Sequence, residues 1–238
     1  MTDALHAVPE LEPVASIEVR LVEILRTLIV RGELAQGERL VHRQLASRLG
    51  VSPTPVKVAL SKLEEQGFVA TDVSGGSSVT WLTRERLEEV YTQRAAMEGL
   101  IASYGAPFVT AATIERMRTC LANLRSHAQQ QAHDDYLAER WTFHTHCYEH
   151  ANRPRLLAHV AALYQSADRF NRLLLSSPER FARSQRFYAD FLAACEAHDG
   201  NAAAAVITAS TNWCLETLKD QLPSDAEVEQ TGGPASIK

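Results

Sequence analysis

Residues 40–68 read LVHRQLASRLGVSPTPVKVALSKLEEQGF, and the fold follows from how that run is punctuated. Leu45 and Leu49, four apart, give a first short helix its apolar face. Gly50 ends it, because a residue without Cβ takes the left-handed conformation past a helix end at little cost. Val51 then packs beneath a tight turn. Ser52 is a good N-cap for a second helix, and Pro53 an apt first residue, since its missing N–H had no intrahelical partner to lose. Val56, Leu60 and Leu63 carry the apolar stripe on until Gly67 stops it. From Arg39 to Lys62 the charges are Arg39, Arg43, Arg48, Lys57 and Lys62, with no acid among them. This is a helix-turn-helix that presents its second helix to a polyanion.

Upstream, Ile17, Leu21, Ile24, Leu25 and Leu28 recur at helical spacing over about 16–31, and Gly32 closes that helix. Gly37 marks a turn. Downstream, residues 68–71 and 78–81 read as two short strands around a flexible tip, residues 72–77. Three helices and a two-stranded wing make a winged helix over residues 15–81. Gly75 and Gly76 let backbone N–H groups approach a phosphate or enter a minor groove, where a Cβ would obstruct. The polar residues 1–14 are expected to be disordered.

From Thr83 the pattern changes. Thr83 caps a helix running to about Ala102, with Leu87, Val90, Tyr91, Ala95, Met97 and Ile101 inward, and Pro107 breaks it. Further helices are expected from Thr113, over about 134–150, over about 155–175, over about 178–198 and over about 201–222. No strand is expected after Trp81. Residues 82–222 therefore read as an all-helical bundle of about six helices, and residues 223–238, with their Gly, Pro, Ser and acids, as a disordered tail.

The chain as a whole sets limits. Its 238 residues, 45% of them hydrophobic, are those of a soluble globular protein. A net charge of −5 excludes a protein that coats nucleic acid indiscriminately, while permitting a small basic reading head. No apolar run approaches the ~20 residues that span a bilayer, so no membrane partner is expected. The N-terminus has neither a basic n-region nor an apolar h-region, so no signal peptide is read. Cys120, Cys147, Cys195 and Cys214 are far apart with no CxxC spacing, which fits buried thiols in a reducing cytoplasm.

The order of elements and the residues together resemble the GntR family of bacterial transcription regulators, FadR subfamily. The matching residues are Gly32-Glu33-Leu34, Gly37-Glu38-Arg39-Leu40, Leu45-Ala46, Leu49-Gly50-Val51-Ser52, Thr54-Pro55-Val56-Lys57, Ala59-Leu60, Leu63-Glu64 and Gly67-Phe68-Val69. Tyr91-Thr92-Gln93-Arg94 with Met97-Glu98 looks like the opening of that subfamily's effector domain, and Phe143-His144 ahead of Pro154 like its next landmark. The resemblance implies a DNA-binding winged helix, a bundle that takes a small organic effector, and a homodimer reading an inverted repeat in double-stranded operator DNA. It places phosphate and base contacts on Arg43, Ser52, Thr54, Lys57, Gly75 and Gly76. Pro53 and Lys57 stand where the family usually has Arg, and Val58 where it usually has Glu. The loss of a guanidinium removes a candidate bidentate guanine contact, so base preference is expected to differ from the family norm.

Many members of the family hold a metal through an Asp and a His four apart on one helix and two later His. Here the four positions fall on Arg140, His144, Tyr188 and, nearly, Ser210. A guanidinium in that shell repels a cation, so no metal and no other cofactor is expected. Arg140 instead holds an anionic effector through its guanidinium fork, with Arg94, His144, Tyr188 and Ser210 around it. The alternative is that Arg140 points to solvent or pairs with Glu98 or another carboxylate. His144 shares a stripe with Leu137, Trp141 and Tyr148, where it is either a satisfied core residue or a pocket group.

Two rival functions have some footing. His146, Glu149 and His150 match the H-x-x-E-H pattern of inverted zinc peptidases, the mark of a metal-dependent hydrolase. The pattern sits at a helix end with no third ligand apparent. Pro53 suggests a sensor protein with a decayed DNA head. The reading adopted is a cytoplasmic bacterial regulator, not an enzyme, and most often in this family a repressor.

Overall fold

The computed structural model describes residues 16–72, 74–175 and 177–230. The expected disorder of residues 1–14 and 231–238 therefore lies outside the described residues. The chain divides into two compact units, Met1–Val79 and Thr80–Lys238.

The first unit holds α1 (Ile17–Arg31), β1 (Arg39–Leu40), α2 (His42–Leu49), α3 (Pro53–Glu65), β2 (Val69–Thr71) and β3 (Ser77–Val79). Gly50 closes α2 in the left-handed region at φ 66°, and its N–H returns to the Ala46 carbonyl. Leu21, Leu25 and Ile29 of α1 pack with Val56, Leu60 and Leu63 of α3, and Leu45, Leu49 and Val51 of the turn close over them. Leu25, Val56 and Leu63 have no exposed surface. Truncating one such Leu to Ala costs about 2–5 kcal/mol, so the recognition helix is held by its buried face while its other face stays free.

The wing differs from the expected two-stranded hairpin. Arg39–Leu40 adds a third strand, giving the antiparallel order β1-β3-β2, with Arg39 opposite Ser78 and Thr71 opposite Ser77. The described residues of the tip bond to one another. Asp72 accepts from the Ser74 N–H, the Ser74 hydroxyl and the Gly76 N–H, and its backbone carbonyl accepts from the Gly75 N–H. Those bonds hold the exposed Asp72 carboxyl below its ordinary range, the Ser74 hydroxyl foremost.

The second unit is all helical: α4 (Arg84–Gly105), α5 (Ala111–Gln129), α6 (His133–Tyr148), α7 (Pro154–Ser166), α8 (Asp168–Leu174), α9 (Pro178–Glu196), α10 (Gly200–Leu218) and α11 (Asp225–Gln230). Eight α-helices thus stand among the described residues where about six were expected. One extra helix arises because the span 155–175 breaks at Ala167, splitting it into α7 and α8. The other is α11, which corrects the expected disordered tail over residues 225–230. Ser224 and Glu227 form a reciprocal capping box: the Ser224 N–H donates to the Glu227 carboxylate, and the Glu227 N–H to the Ser224 hydroxyl. Arg84 ties this segment to α4, donating to the Leu222 carbonyl at 2.9 Å and to Glu227 at 2.9 Å.

Thr83 caps α4 as expected, accepting from the Arg86 N–H. The inward face of α4 is more polar than the apolar stripe suggests, since Arg94 and Glu98 are buried with Leu87, Tyr91 and Ile101, while Val90, Ala95 and Met97 are half-buried. Gly99 lets α10 come close. A Cβ there would lie 3.3 Å from Thr208 Oγ1 and 3.6 Å from the Ala204 carbonyl.

Candidate functional site

The outer face of the winged unit is cationic. Arg43, Ser52, Thr54 and Lys57 are all exposed, on α2, on the turn and on the first turns of α3. Pro53 stands at the first helical position without disturbing α3. Ser52 occupies the N-cap but makes no side-chain capping bond, so its hydroxyl is left for another acceptor or donor. The wing glycines are placed differently from expectation. Gly75 sits at φ 79°, but its N–H and that of Gly76 are already committed to Asp72. The wing cation is Arg39, whose guanidinium lies so close that a Cβ on Gly76 would stand 2.6 Å from its Nη2. Arg39 appears in the basic run of the sequence, but strand β1, which carries it to the wing, has no pattern of its own there.

The second site lies inside the bundle. Arg94 and Glu98, one turn apart on α4, form an ion pair at 2.6 Å, with Arg94 4% and Glu98 1% exposed. Burial works most strongly against the Arg94 charge, and the Glu98 carboxylate together with Tyr91 and Tyr164 more than restores it. Tyr148 of α6 donates to the other Glu98 oxygen at 3.2 Å. Arg94 lies over the rings of Tyr91 and Tyr164, 4.9 Å from each centroid.

Arg140 of α6 is buried too, at 8% exposure, and does not pair with Glu98. Its hydrogen bond among the described residues runs from Nε to the Tyr188 hydroxyl on α9, at 2.6 Å, and its guanidinium lies 5.2 Å from the Tyr164 ring. Among the described residues no carboxylate forms an ion pair with it. Two arginines and one glutamate leave this core with one uncompensated positive charge. Asn171 of α8 accepts from the Tyr91 hydroxyl at 2.9 Å while its Nδ2, buried, has no hydrogen-bond partner among the described residues. That nitrogen is a second unspent donor in the same aromatic layer.

His144 sits one turn beyond Arg140 with Nδ1 2.9 Å from the Arg140 carbonyl. A carbonyl only accepts, so Nδ1 carries the proton and Nε2 presents a lone pair. Burial pushes the imidazole down to about 3; the carbonyl bond opposes this, and the charges of Arg140 and Arg94 add to the fall. Arg94, Arg140, His144 and Tyr188 thus converge. Ser210, half-buried on α10, makes no hydrogen bond to either arginine. The α10 side chain whose thiol senses Arg94, Arg140 and Glu98 is Cys214, one turn further on. Glu98 and Cys214 are the members that the sequence reading missed as site residues; an i,i+4 Arg–Glu pair ordinarily signals a solvated helix face.

A cation is poorly served here. The donor set offers one imidazole between two guanidiniums, and among the described residues no three His, Cys, Asp or Glu side chains gather as metal ligands. The other His cluster is structural in its contacts. α6 ends at Tyr148, so His146 and His150 do not share a continuous helix, and His150 Nε2 is 2.8 Å from the buried Thr113 hydroxyl.

A third buried guanidinium holds the first residue of the second unit. Arg169 of α8 donates from Nη1 to the Thr80 hydroxyl at 3.0 Å and from Nη2 to the Thr80 carbonyl at 2.8 Å. Burial, with Arg86 nearby, pushes it down to about 10. Thr80 is the residue that follows β3. Its neighbours on α8, Phe170 and Asn171, contact Tyr91 by ring edge and by hydrogen bond.

Comparisons with known proteins agree with this two-part architecture. Residues 18–79 match the bacterial regulatory proteins of the gntR family, and residues 89–211 match the FCD domain. The chain is 24% identical over 213 residues to the HTH-type transcriptional repressor RspR of Escherichia coli, covering 88% of this chain and 92% of that one. It is 37% identical over 76 residues to the regulator YdhC of Bacillus subtilis, covering 32% of this chain and 34% of that protein. Among solved structures, Escherichia coli McbR/YncC shares the fold with a TM-score of 0.75 at 20% identity, over 87% of this chain and 99% of that one. A GntR regulator from a Rhodococcus species gives 0.68 at 20% identity, over 86% and 96%. The relatives are transcription regulators, and no helix is long and apolar enough to cross a membrane among the described residues. The chain belongs to the GntR family of transcription regulators, with a winged helix-turn-helix head and a FadR-like FCD domain behind it.

Proposed function

We propose that this regulator is a cytoplasmic repressor that binds operator DNA as a homodimer and responds to a small anionic organic metabolite, with no metal in its effector site. The observation that carries the reading is Arg140, a buried guanidinium with no carboxylate opposite it among the described residues. A buried unpaired charge is costly, and an anion that docks on it recovers that cost as binding free energy. The regulator RspR, which is described as a repressor, supports the sign of the response. Two heads spaced by a helical turn of DNA raise affinity without new contacts, which is the physical case for the dimer.

Coupling needs an anion that prefers one arrangement of the bundle over another; equal affinity would shift nothing. The supporting contacts run from Arg140 over Tyr164 to Arg94, from Arg94 over Tyr91 to Asn171 on α8, and from Arg169 to the Thr80 backbone. The test is a gel shift against the DNA upstream of the protein's own gene, with mass spectrometry of any small molecule that co-purifies. Arg140→Ala is expected to keep the shift and lose both the co-purified anion and the response to it. An Arg140→Ala protein that still responds removes Arg140 from the mechanism, and a wild-type protein that gives no specific shift at moderate salt favours the decayed-head reading.

A further inference from the structure

A cavity of about 540 Å³ opens where the end of α5, the 129–132 turn and the first turns of α6 and α9 come together. None of Arg94, Arg140, His144 or Tyr188 lines it. Its walls carry Arg125, His127 and His133, and no Asp or Glu lines it among the described residues. Its floor is aromatic: Tyr136 and Phe181 lie 4.8 Å apart between ring centroids, tilted by 47°. Gln185 donates from Nε2 to the Tyr136 hydroxyl at 3.0 Å, and its Oε1 is buried with no hydrogen-bond partner among the described residues. An amide's nitrogen and oxygen exchange places on a flip, and a phenol both gives and takes a hydrogen bond. One polar end of Gln185 is therefore unspent in either orientation.

Small-molecule sites combine an apolar body with a few convergent polar groups in cavities of about this size. A wall that offers a guanidinium and imidazole N–H donors without a carboxylate selects an anion, and a pair of tilted rings selects a flat apolar body. We propose that this cavity is a binding site for an aryl carboxylate, with its acid group on Arg125 and the adjoining imidazoles and its ring against Tyr136 and Phe181. It is separate from the Arg140 core, from which the Tyr136 ring divides it; that ring meets Tyr188 edge to face at 6.4 Å.

The probe is para-bromobenzoate, titrated calorimetrically into the full-length protein and located by the anomalous signal of bromine in soaked crystals. One molecule per chain is expected, with bromine beside Tyr136 and Phe181. Arg125→Ala, an exposed substitution with no packing role, is expected to weaken binding about tenfold, the effect of one lost charge-assisted contact. para-Bromobenzyl alcohol, of similar shape without the charge, is expected to bind at least about tenfold more weakly. No measurable heat, bromine against Arg140 or only on the outer surface, unchanged affinity in Arg125→Ala, or equal affinity for the alcohol would each overturn the assignment. None of these outcomes depends on whether the protein releases DNA, so the regulatory reading stands or falls separately.

Discussion

The same side chains do opposite work in the two units. On the winged head, Arg43 and Lys57 stand in water, where a cation is cheap to keep and screened by salt. In the bundle, Arg94, Arg140 and Arg169 are removed from water, where each must find a partner or leave the fold less stable. Exposed charges suit a polyanion that offers many equivalent phosphates. A buried guanidinium suits one discrete anion of fitting shape. The contrast predicts that substitutions in the bundle move stability and ligand response, and those on the head move salt dependence.

The largest effect is expected at Glu98. Glu98→Ala strips Arg94 of its counter-charge and Tyr148 of its acceptor, leaving two unpaired guanidiniums in one core. Breaking a buried pair this way costs about 3–5 kcal/mol, read as a lower urea midpoint. A loss below about 1 kcal/mol would put the pair in the class of exposed ion pairs and weaken the contrast at its root.

How much of this was legible beforehand depended on whether a residue's role was local. The helix-turn-helix is written in a 29-residue run where caps, turn and apolar stripe all act on near neighbours. Arg39 was visible as a charge but not as a wing residue, because a two-residue strand has no alternation and exists only through its pairing with β3. The break at Ala167 carries no Gly or Pro, and tertiary packing decides it. By contrast α11 did have a local signal: Ser224 and Glu227 are spaced as a capping box, hidden within a polar tail. The burial of Glu98 had none, since a salt bridge one turn long looks the same on either face of a helix.

The next effect is pH-dependent. His144, at about 3 folded against 6.5 when unperturbed, stays neutral in the native state while the unfolded chain takes up a proton. Stability attributable to it is intact above 6.5 and declines as pH falls towards 3, at roughly 1.4 kcal/mol per pH unit. His144→Gln removes that proton, so wild type is expected to lose stability relative to the variant as pH drops from neutrality. Parallel stability curves for the two would mean that His144 is solvated enough to titrate normally.

Arg140 gives a smaller change of the opposite sign. Replacing a buried unpaired guanidinium by a hydrophobe of similar length relieves a desolvation cost without leaving a counter-charge stranded, unlike Glu98→Ala. Arg140→Met is expected to raise ligand-free stability by about 1–3 kcal/mol, while abolishing the response to anion. Thermal melts of ligand-free protein decide it; a marked fall would show that Arg140 holds Tyr188 and Tyr164 in place and belongs to the packing.

The head supplies the smallest effect and the sharpest discrimination. Lys57 is exposed and makes no hydrogen bond or ion pair among the described residues, so Lys57→Ala should leave the melting curve within about 0.5 kcal/mol of wild type. Its effect lies in DNA binding. If Lys57 neutralises a phosphate, its removal weakens binding to all sequences alike and lowers the slope of log affinity against log salt by roughly 1 per head. If it donates to a guanine, the slope holds and preference relaxes at one base pair of each half-site. Arg140→Met, measured beside it without ligand, should leave both slope and preference unaltered, because a charge enclosed in the bundle releases no counterion from DNA. A change in salt slope from the bundle variant would mean that the two sets of cations are not separate systems, and that the field of the core reaches the DNA directly.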